Sequence, residues 1–143
     1  MKAARIVLIE DNPADVFLVE LALKESGVIH EMTKFKSGEE ALRALCPPEG
    51  TETSAFVPDA ILLDLNTPKS DGFEVLIQLK QVPRFTRVPI AIITSSQAPS
   101  DKHRTSIQGT RYIQKPAQLT EFLTTVGQAI KEMIEEGRPS KKP

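Results

Sequence analysis

Acidic, hydroxyl and basic side chains follow four predicted strands, each at the point where a run of apolar residues stops. Glu10 and Asp11 come after the first run, and Asp64 follows the third. Thr94 and Lys115 stand at the ends of the fourth and fifth. Because the carboxyl ends of parallel strands meet at one edge of a sheet, we expect these side chains to form a single site.

The carboxylates decide which chemistry such a site could perform. Three carboxylates held together repel one another, and one of them tends to take up a proton unless a cation neutralises the group. Oxygen ligands, few carboxylates and several waters suit Mg²⁺ better than Ca²⁺. With the cation bound, an ionised Asp64 could attack a phosphoryl group while Lys115 and Thr94 contact the phosphoryl oxygens.

Strand and helix patterns alternate along the chain. Short β-branched apolar runs indicate strands covered on both faces, and Asn12-Pro13 and Ser37-Gly38-Glu39-Glu40 are helix-start patterns. The predicted strands lie at 6–9, 30–35, 60–63, 89–94 and around 112–113; the predicted helices lie at 13–26, 38–45, 72–81, 101–108 and 119–133. Five strands alternating with five helices predict an α/β fold with a parallel sheet.

The last helix has the clearest pattern. Its apolar side chains recur at helical spacing and form one stripe, which we expect to pack on the sheet. The stripe consists of Leu119, Phe122, Leu123, Val126, Ile130 and Met133.

Composition excludes several classes of protein. The chain has 143 residues, 40% of them hydrophobic, and a formal net charge of −1, so no positive field would draw it to nucleic acid or anionic lipid. Its apolar runs are shorter than a signal-peptide core or a membrane span. We therefore expect a cytoplasmic protein without direct nucleic-acid or membrane contact. Cys46 is the one cysteine and is assigned no function.

The length predicts one domain, residues 1–136, followed by a short basic tail over 137–143. A segment rich in proline and small polar residues, Pro47 to Pro58, is predicted to be a surface loop within that domain.

The strand-end motifs resemble those of the receiver domain of bacterial two-component response regulators. The resemblance extends from Ile6 to Met133. The matching segments are Ile9-Glu10-Asp11, the stretch LLDLNTPKSDG from Leu62 to Gly72, Ile93-Thr94-Ser95 and Tyr112-Ile113-Gln114-Lys115-Pro116. The resemblance implies a flavodoxin-like, doubly wound fold with five helices and a five-stranded parallel sheet in the order 2-1-3-4-5.

The resemblance also implies a metal-binding and phosphoacceptor role for the acidic residues. Asp64 would accept the phosphoryl group and would also ligate Mg²⁺. Glu10 and Asp11 would hold the same ion, directly or through water. Asn66 would contribute its backbone carbonyl to the same ion.

The remaining positions are implied to bind the phosphoryl group and to form the switch. Thr94 and Lys115 would contact the phosphoryl oxygens, and on phosphorylation Thr94 would move toward them while Tyr112 turns inward. This would reshape the face formed by the fourth helix, fifth strand and fifth helix. The peptide bond before Pro116 is expected to be cis.

The implied function is that of a stand-alone response regulator that catalyses its own phosphorylation and dephosphorylation without being an enzyme in the ordinary sense. Its phosphodonor would be a sensor histidine kinase or a histidine phosphotransfer protein, and its output would be contact with a downstream protein. The switch face could also pair two copies as a homodimer.

The chain departs from the family pattern at two places. The Pro47 to Pro58 loop is long, as is the matching region in receivers that partner bacterial phytochrome-type kinases. Thr67 stands before Pro68 in place of the bulky apolar residue that is common there in the family.

Two other classes of function are alternatives to this interpretation. A flavodoxin-type binder of small molecules is one, although the acidic residues after the first strand would repel a phosphate that lacks a metal. A degenerate receiver that acts only as a binding module is the other.

Overall fold

The computed structural model describes residues 3–46, 56–65, 71–107 and 109–137, with only the backbone at position 107. The strands are β1 (Ala4–Ile9), β2 (His30–Phe35), β3 (Ala60–Leu63), β4 (Ile90–Thr94) and β5 (Arg111–Gln114). The helices are α1 (Pro13–Glu25), α2 (Gly38–Leu45), α3 (Gly72–Lys80), α4 (Pro99–Ile107) and α5 (Leu119–Gly137), with a 3-10 helix over Pro83–Phe85.

The five strands form one parallel sheet in the order β2-β1-β3-β4-β5, which confirms the predicted topology. Ile9 at the end of β1 lies opposite Phe35 of β2 and Leu63 of β3, and Leu63 in turn lies opposite Ile92 of β4. The strands therefore end at one edge of the sheet, and the residues that follow them are brought together there.

Local signals explain where α1 begins and ends. The Asn12 side chain accepts hydrogen bonds from the backbone N–H groups of Ala14 (2.9 Å) and Asp15 (3.4 Å), and Pro13 occupies the first helical position. At the other end Gly27 has φ +76°, and the N–H of Val28 donates to the Leu23 carbonyl at 2.9 Å. The left-handed backbone conformation at this position ends the helix, and glycine adopts it without steric cost.

The sheet buries an apolar layer on each face. The layer between the sheet and helices α1 and α5 contains Ile6, Leu8, Leu62, Ile93 and Ile130, whereas the layer between the sheet and helices α2 and α3 contains Val7, Ile9, Ile61, Leu63 and Leu76. Alternation along each strand sends successive side chains to opposite layers. Helices on both faces explain why the three central strands β1, β3 and β4 are mainly apolar along their length.

The apolar stripe of α5 is confirmed with one exception. Phe122, Val126, Ile130 and Met133 are buried, but Leu119 is 54% exposed. It begins the helix, and a side chain in the first turn can extend past the end of the packed surface. Of the predicted tail, Gly137 belongs to α5, and 138–143 lie outside the described residues.

The α1–α5 contact depends on Gly127. A Cβ atom at this position would lie 2.7 Å from the Ala22 carbonyl oxygen and would also collide with the Ser26 hydroxyl. We expect Gly127→Ala to lower the free energy of unfolding by about 1–3 kcal/mol, because the two helices must separate. Urea unfolding followed by circular dichroism measures this. A variant as stable as the wild type would contradict the close approach.

No helix in the described parts of the chain is both long and apolar enough to cross a bilayer.

Candidate phosphoacceptor site

Lys115 is the centre of the site at the carboxyl edge of the sheet. Its Nζ atom lies 2.8 Å from Oε1 of Glu10, 2.7 Å from Oδ2 of Asp15 and 3.0 Å from Oδ2 of Asp64. The side chains of Lys115, Glu10 and Asp64 are all buried, whereas that of Asp15 is 26% exposed. The structure thus brings together Glu10, Asp64 and Lys115, which the sequence placed at three strand ends.

Each of these side chains is positioned by the end of a strand or by the start of α1. Glu10 follows β1, and its backbone N–H donates to the Phe35 carbonyl at 2.9 Å. Asp64 follows β3, and its N–H donates to the Ile9 carbonyl at 3.0 Å. Lys115 follows β5. Sheet hydrogen bonds therefore continue into the residues of the site, which fixes the backbone beneath them.

Burial and repulsion act on the Glu10 carboxyl. Burial raises the pKa of Glu10 to about 7, and the neighbouring Asp64 acts in the same direction, while Lys115 opposes both. Burial also lowers the pKa of the Lys115 ammonium, but its hydrogen bonds to Asp15 and Glu10 outweigh this, so that the pKa is raised overall. The lysine is therefore a permanent cation, and it neutralises only part of the carboxylate charge.

Asp15 is a member of the cluster that the sequence prediction missed. Carboxylate oxygens of Glu10, Asp15 and Asp64 all lie within 4.8 Å of one another. Asp11, which was expected there, is exposed and does not belong to this group among the described residues. The start of α1 explains Asp15, because Asn12 caps the helix and the third helical residue then lies beside the end of β1.

This donor set fits a divalent cation. The cluster offers hard oxygen ligands at close spacing, and two of its three carboxylates are buried. Buried carboxylates in excess of their cationic partner are stabilised by a further cation, and oxygen-rich sites of this kind suit Mg²⁺ or Mn²⁺. Asn66, the predicted carbonyl ligand, lies outside the described residues.

Thr94 lies buried at the end of β4 and is joined to the lysine backbone. Its carbonyl accepts a hydrogen bond from the Lys115 N–H at 2.7 Å, and its Oγ1 accepts one from the Ser96 N–H at 3.1 Å. The hydroxyl therefore stands on the strand next to that of Asp64, as the sequence predicted.

Ser96, which was not among the residues predicted from the sequence, connects the predicted switch residues. Its carbonyl accepts a hydrogen bond from the Tyr112 hydroxyl at 2.8 Å, and its own hydroxyl donates to Oδ2 of Asp101 on α4 at 2.7 Å. Through its backbone N–H it also contacts Thr94. One loop residue thus joins β4, β5 and α4. Its position two residues after the strand-end threonine was the signal that could have indicated it.

The prediction of a cis bond before Pro116 is wrong for this structure. The described residues contain no cis peptide bond, so Lys115–Pro116 is trans. The trans isomer of an X-Pro bond is favoured by about 0.5–1 kcal/mol unless the surroundings select the other. Here the Lys115 N–H and ammonium group make their hydrogen bonds with the trans bond in place.

Gly72 allows α3 to begin directly against the residue that follows Asp64. A Cβ atom at Gly72 would lie 2.8 Å from Cα of Leu65, which is backbone and cannot move aside cheaply. Asp71 caps the helix by accepting a hydrogen bond from the Phe73 N–H at 3.0 Å. Asp71 and Gly72 thus form the start of α3.

The pKa of Glu10 predicts how the metal-free protein responds to pH. Between pH 4.5 and about 7 this carboxyl is protonated in the folded chain and ionised in the unfolded chain. Unfolding then releases a proton, so Glu10 makes the free energy of unfolding fall as the pH rises through this window, by up to about 3 kcal/mol.

Glu10→Gln should lose this part of the pH dependence. Urea unfolding of both proteins in EDTA, at several pH values from 4.5 to 8, isolates the contribution of Glu10 as the difference between the two curves. Parallel curves would show that burial does not hold the proton on Glu10.

Comparisons with known proteins agree with this geometry. A profile of the family described as "Response regulator receiver domain" matches residues 6–127. Response regulator Rcp1 of Synechocystis sp. is 41% identical over 96 residues, which cover 67% of this chain and 65% of Rcp1. The chain thus spans slightly less than two thirds of that relative.

Two solved structures have the same fold over nearly the whole chain. The phosphorylated cyanobacterial phytochrome response regulator RcpA matches with a TM-score of 0.79 at 32% identity, covering 99% of this chain and 100% of RcpA. The Mn²⁺-bound form of Rcp1 matches with a TM-score of 0.77 at 32% identity, covering 92% and 95% of the two chains. With the profile match across most of the sequence, these findings show that the chain belongs to the response-regulator receiver family.

Proposed function

We propose that this receiver is a phosphorylation switch that takes a phosphoryl group onto Asp64. The observation that supports this best is the contact between the Asp64 carboxylate and the buried Lys115 ammonium, at 3.0 Å. A carboxylate at the end of a strand, next to a fixed cation, can act as a nucleophile toward phosphorus and have the resulting charge stabilised.

In the proposed transfer an Oδ atom of Asp64 forms a bond to phosphorus while the phosphorus–nitrogen bond of a phosphohistidine breaks. The histidine nitrogen keeps the electron pair of that bond and takes a proton from solvent. The ammonium of Lys115 and the hydroxyl of Thr94 contact the phosphoryl oxygens. Hydrolysis of the acyl phosphate by water later restores the carboxylate, so the domain promotes both steps of its own cycle.

A bound Mg²⁺ would neutralise charge on the carboxylates and on the phosphoryl oxygens. The proposed ligands are Glu10, Asp11 and Asp64, directly or through water, with the backbone carbonyl of Asn66. The buried Glu10 and Asp64 carboxylates support this assignment. For Asp11 the support is its place in the family motif next to Glu10.

The proposed output is a change at the face formed by α4, β5 and α5. Movement of Thr94 toward the phosphoryl group would disturb the Ser96 N–H, and Ser96 is bonded to Tyr112 and to Asp101. The contacts made by Ser96 therefore favour a path from the phosphoryl group to α4. A downstream protein, or a second copy of the chain, would bind this face.

The proposed phosphodonor is the phosphohistidine of a sensor kinase or of a histidine phosphotransfer protein, in the cytoplasm. The family match supports this class of partner. The name of RcpA links that protein to a phytochrome, and we propose a photoreceptor kinase as the first candidate to test.

The test is to incubate the wild type with acetyl phosphate and Mg²⁺ and to measure intact mass. We expect one phosphoryl group per chain, which hydroxylamine removes because it is an acyl phosphate. Samples with EDTA in place of Mg²⁺ should remain unmodified. A wild type that gains no phosphoryl group with Mg²⁺ would overturn the proposal in favour of a receiver that acts only as a binding module.

A further inference from the structure

Lys115 has a carboxylate partner outside the proposed metal ligands. Glu10 and Asp64 are two of its three carboxylate contacts, and both are proposed to turn toward the divalent cation. The third is Asp15, which makes the shortest contact, at 2.7 Å, from the first turn of α1.

A bound divalent cation would change what holds the lysine in place. Beside Glu10 and Asp64 it would repel the ammonium of Lys115 and compete with it for these carboxylates. A lysine ammonium stands on a flexible four-carbon stem, so its position depends on the partners that it contacts. Asp15 lies within 4.8 Å of the Glu10 and Asp64 oxygens, but it is the described carboxylate contact of Lys115 that is not among the proposed metal ligands.

The backbone beneath Asp15 is fixed. The Asn12 side chain caps the helix by hydrogen bonds to the N–H groups of Ala14 and Asp15, and the helix then packs along α5 through the close approach of Gly127 to Ala22. A charge-assisted hydrogen bond from such a rigid position orients its partner as well as attracting it.

We propose that Asp15 is a positioning residue for the phosphoryl transfer: it holds the Lys115 ammonium beside Asp64 while the divalent cation occupies the other carboxylates. This inference rests on the proposed phosphoacceptor function. It assigns Asp15 no contact with the phosphoryl group or with the metal.

Beryllofluoride, which imitates the phosphoryl group on an aspartate, separates this role from metal binding. With saturating Mg²⁺, Asp15→Ala should bind beryllofluoride roughly 10- to 100-fold more weakly than the wild type, the effect of losing a hydrogen bond between charged groups. Its Mg²⁺ affinity should change by less than about fivefold, because Asp15 is partly exposed. Fluorine NMR and calorimetry measure the two affinities.

Two variants test whether Asp15 acts through Lys115. Asp15→Glu keeps the carboxylate and should recover most of the beryllofluoride affinity. In a Lys115→Ala background, Asp15→Ala should have no further effect on beryllofluoride binding. Glu20→Gln is the matched control, because it removes another α1 carboxylate, one that pairs with Lys34 at 3.5 Å.

Three results would overturn the role of Asp15. They are an unchanged beryllofluoride affinity in Asp15→Ala, a loss of Mg²⁺ affinity in the same proportion, which would make Asp15 a metal ligand, and additive effects of Asp15→Ala and Lys115→Ala. A wild type that fails to bind beryllofluoride with Mg²⁺ would instead overturn the proposed function, and this inference with it.

Discussion

Asp64→Asn is expected to accept no phosphoryl group from acetyl phosphate under conditions in which the wild type is fully modified. The amide keeps the size of the side chain and an oxygen that can accept a hydrogen bond from Lys115, but it lacks the ionised oxygen that attacks phosphorus. Other carboxylates lie beside the lysine, so the variant also tests whether Asp64 alone is the acceptor. Intact mass after incubation with Mg²⁺ gives the answer.

Asp59→Asn is the matched control for this substitution. Asp59 directly precedes β3 at the opposite edge of the sheet, where its carboxylate accepts a hydrogen bond from the Arg5 N–H at 2.8 Å. We expect it to be phosphorylated like the wild type. Full modification of Asp64→Asn would move the acceptor to another residue of the cluster.

Lys115→Ala is expected to slow phosphorylation by about 10²- to 10³-fold, the usual cost of removing one group that stabilises the charge of a transition state. The variant should still bind Mg²⁺, since the ammonium occupies the same carboxylate oxygens that the ion would use. All measurements need Mg²⁺, because removal of the lysine leaves buried carboxylates unneutralised and destabilises the metal-free fold.

Tyr112 provides a second measurement on the same variant. The chain has one tyrosine and no tryptophan, so its intrinsic fluorescence reports Tyr112 alone. Beryllofluoride should change this fluorescence in the wild type and leave it unchanged in Lys115→Ala. Lys34→Ala, which removes an exposed lysine paired with Glu20, should respond like the wild type. A normal fluorescence response in Lys115→Ala would contradict the role of the lysine.

The individual helices and strands could be predicted almost completely from local patterns. Ala60–Leu63 was predicted to the residue, because a β-branched or leucine-rich run between a proline-rich loop and an acid has one interpretation. Residues 38–45 were equally clear, since the Ser37 side chain caps that helix by accepting from the Glu40 N–H at 3.1 Å. Strand order came from the family resemblance, because alternation alone does not determine which strands are neighbours.

The site was predicted less completely, for physical reasons that concern individual residues. Strand ends indicated Glu10, Asp64 and Lys115, because parallel strands place these ends together. Asp15 was missed since it lies on a helix, where an acid in the first turn has an ordinary explanation in the helix dipole. Asp11 follows Glu10 along the chain, yet the exposed side chain stands outside the cluster of buried carboxylates.

Local sequence patterns could not predict the isomer of the Lys115–Pro116 peptide bond either. A proline in sequence carries a preference for trans that is small enough for tertiary contacts to reverse. The hydrogen bond from the Lys115 N–H to Thr94 is compatible with the trans form found here.

Chemical trapping of the modified residue tests the central claim most directly. Borohydride reduces an aspartyl phosphate to homoserine, so peptide sequencing by mass spectrometry identifies the acceptor without any substitution. After treatment of the wild type with acetyl phosphate and Mg²⁺, we predict homoserine at position 64 and at no other position. Homoserine at position 11 or 15, or none anywhere in the chain, would contradict the assignment of Asp64 as the phosphoacceptor.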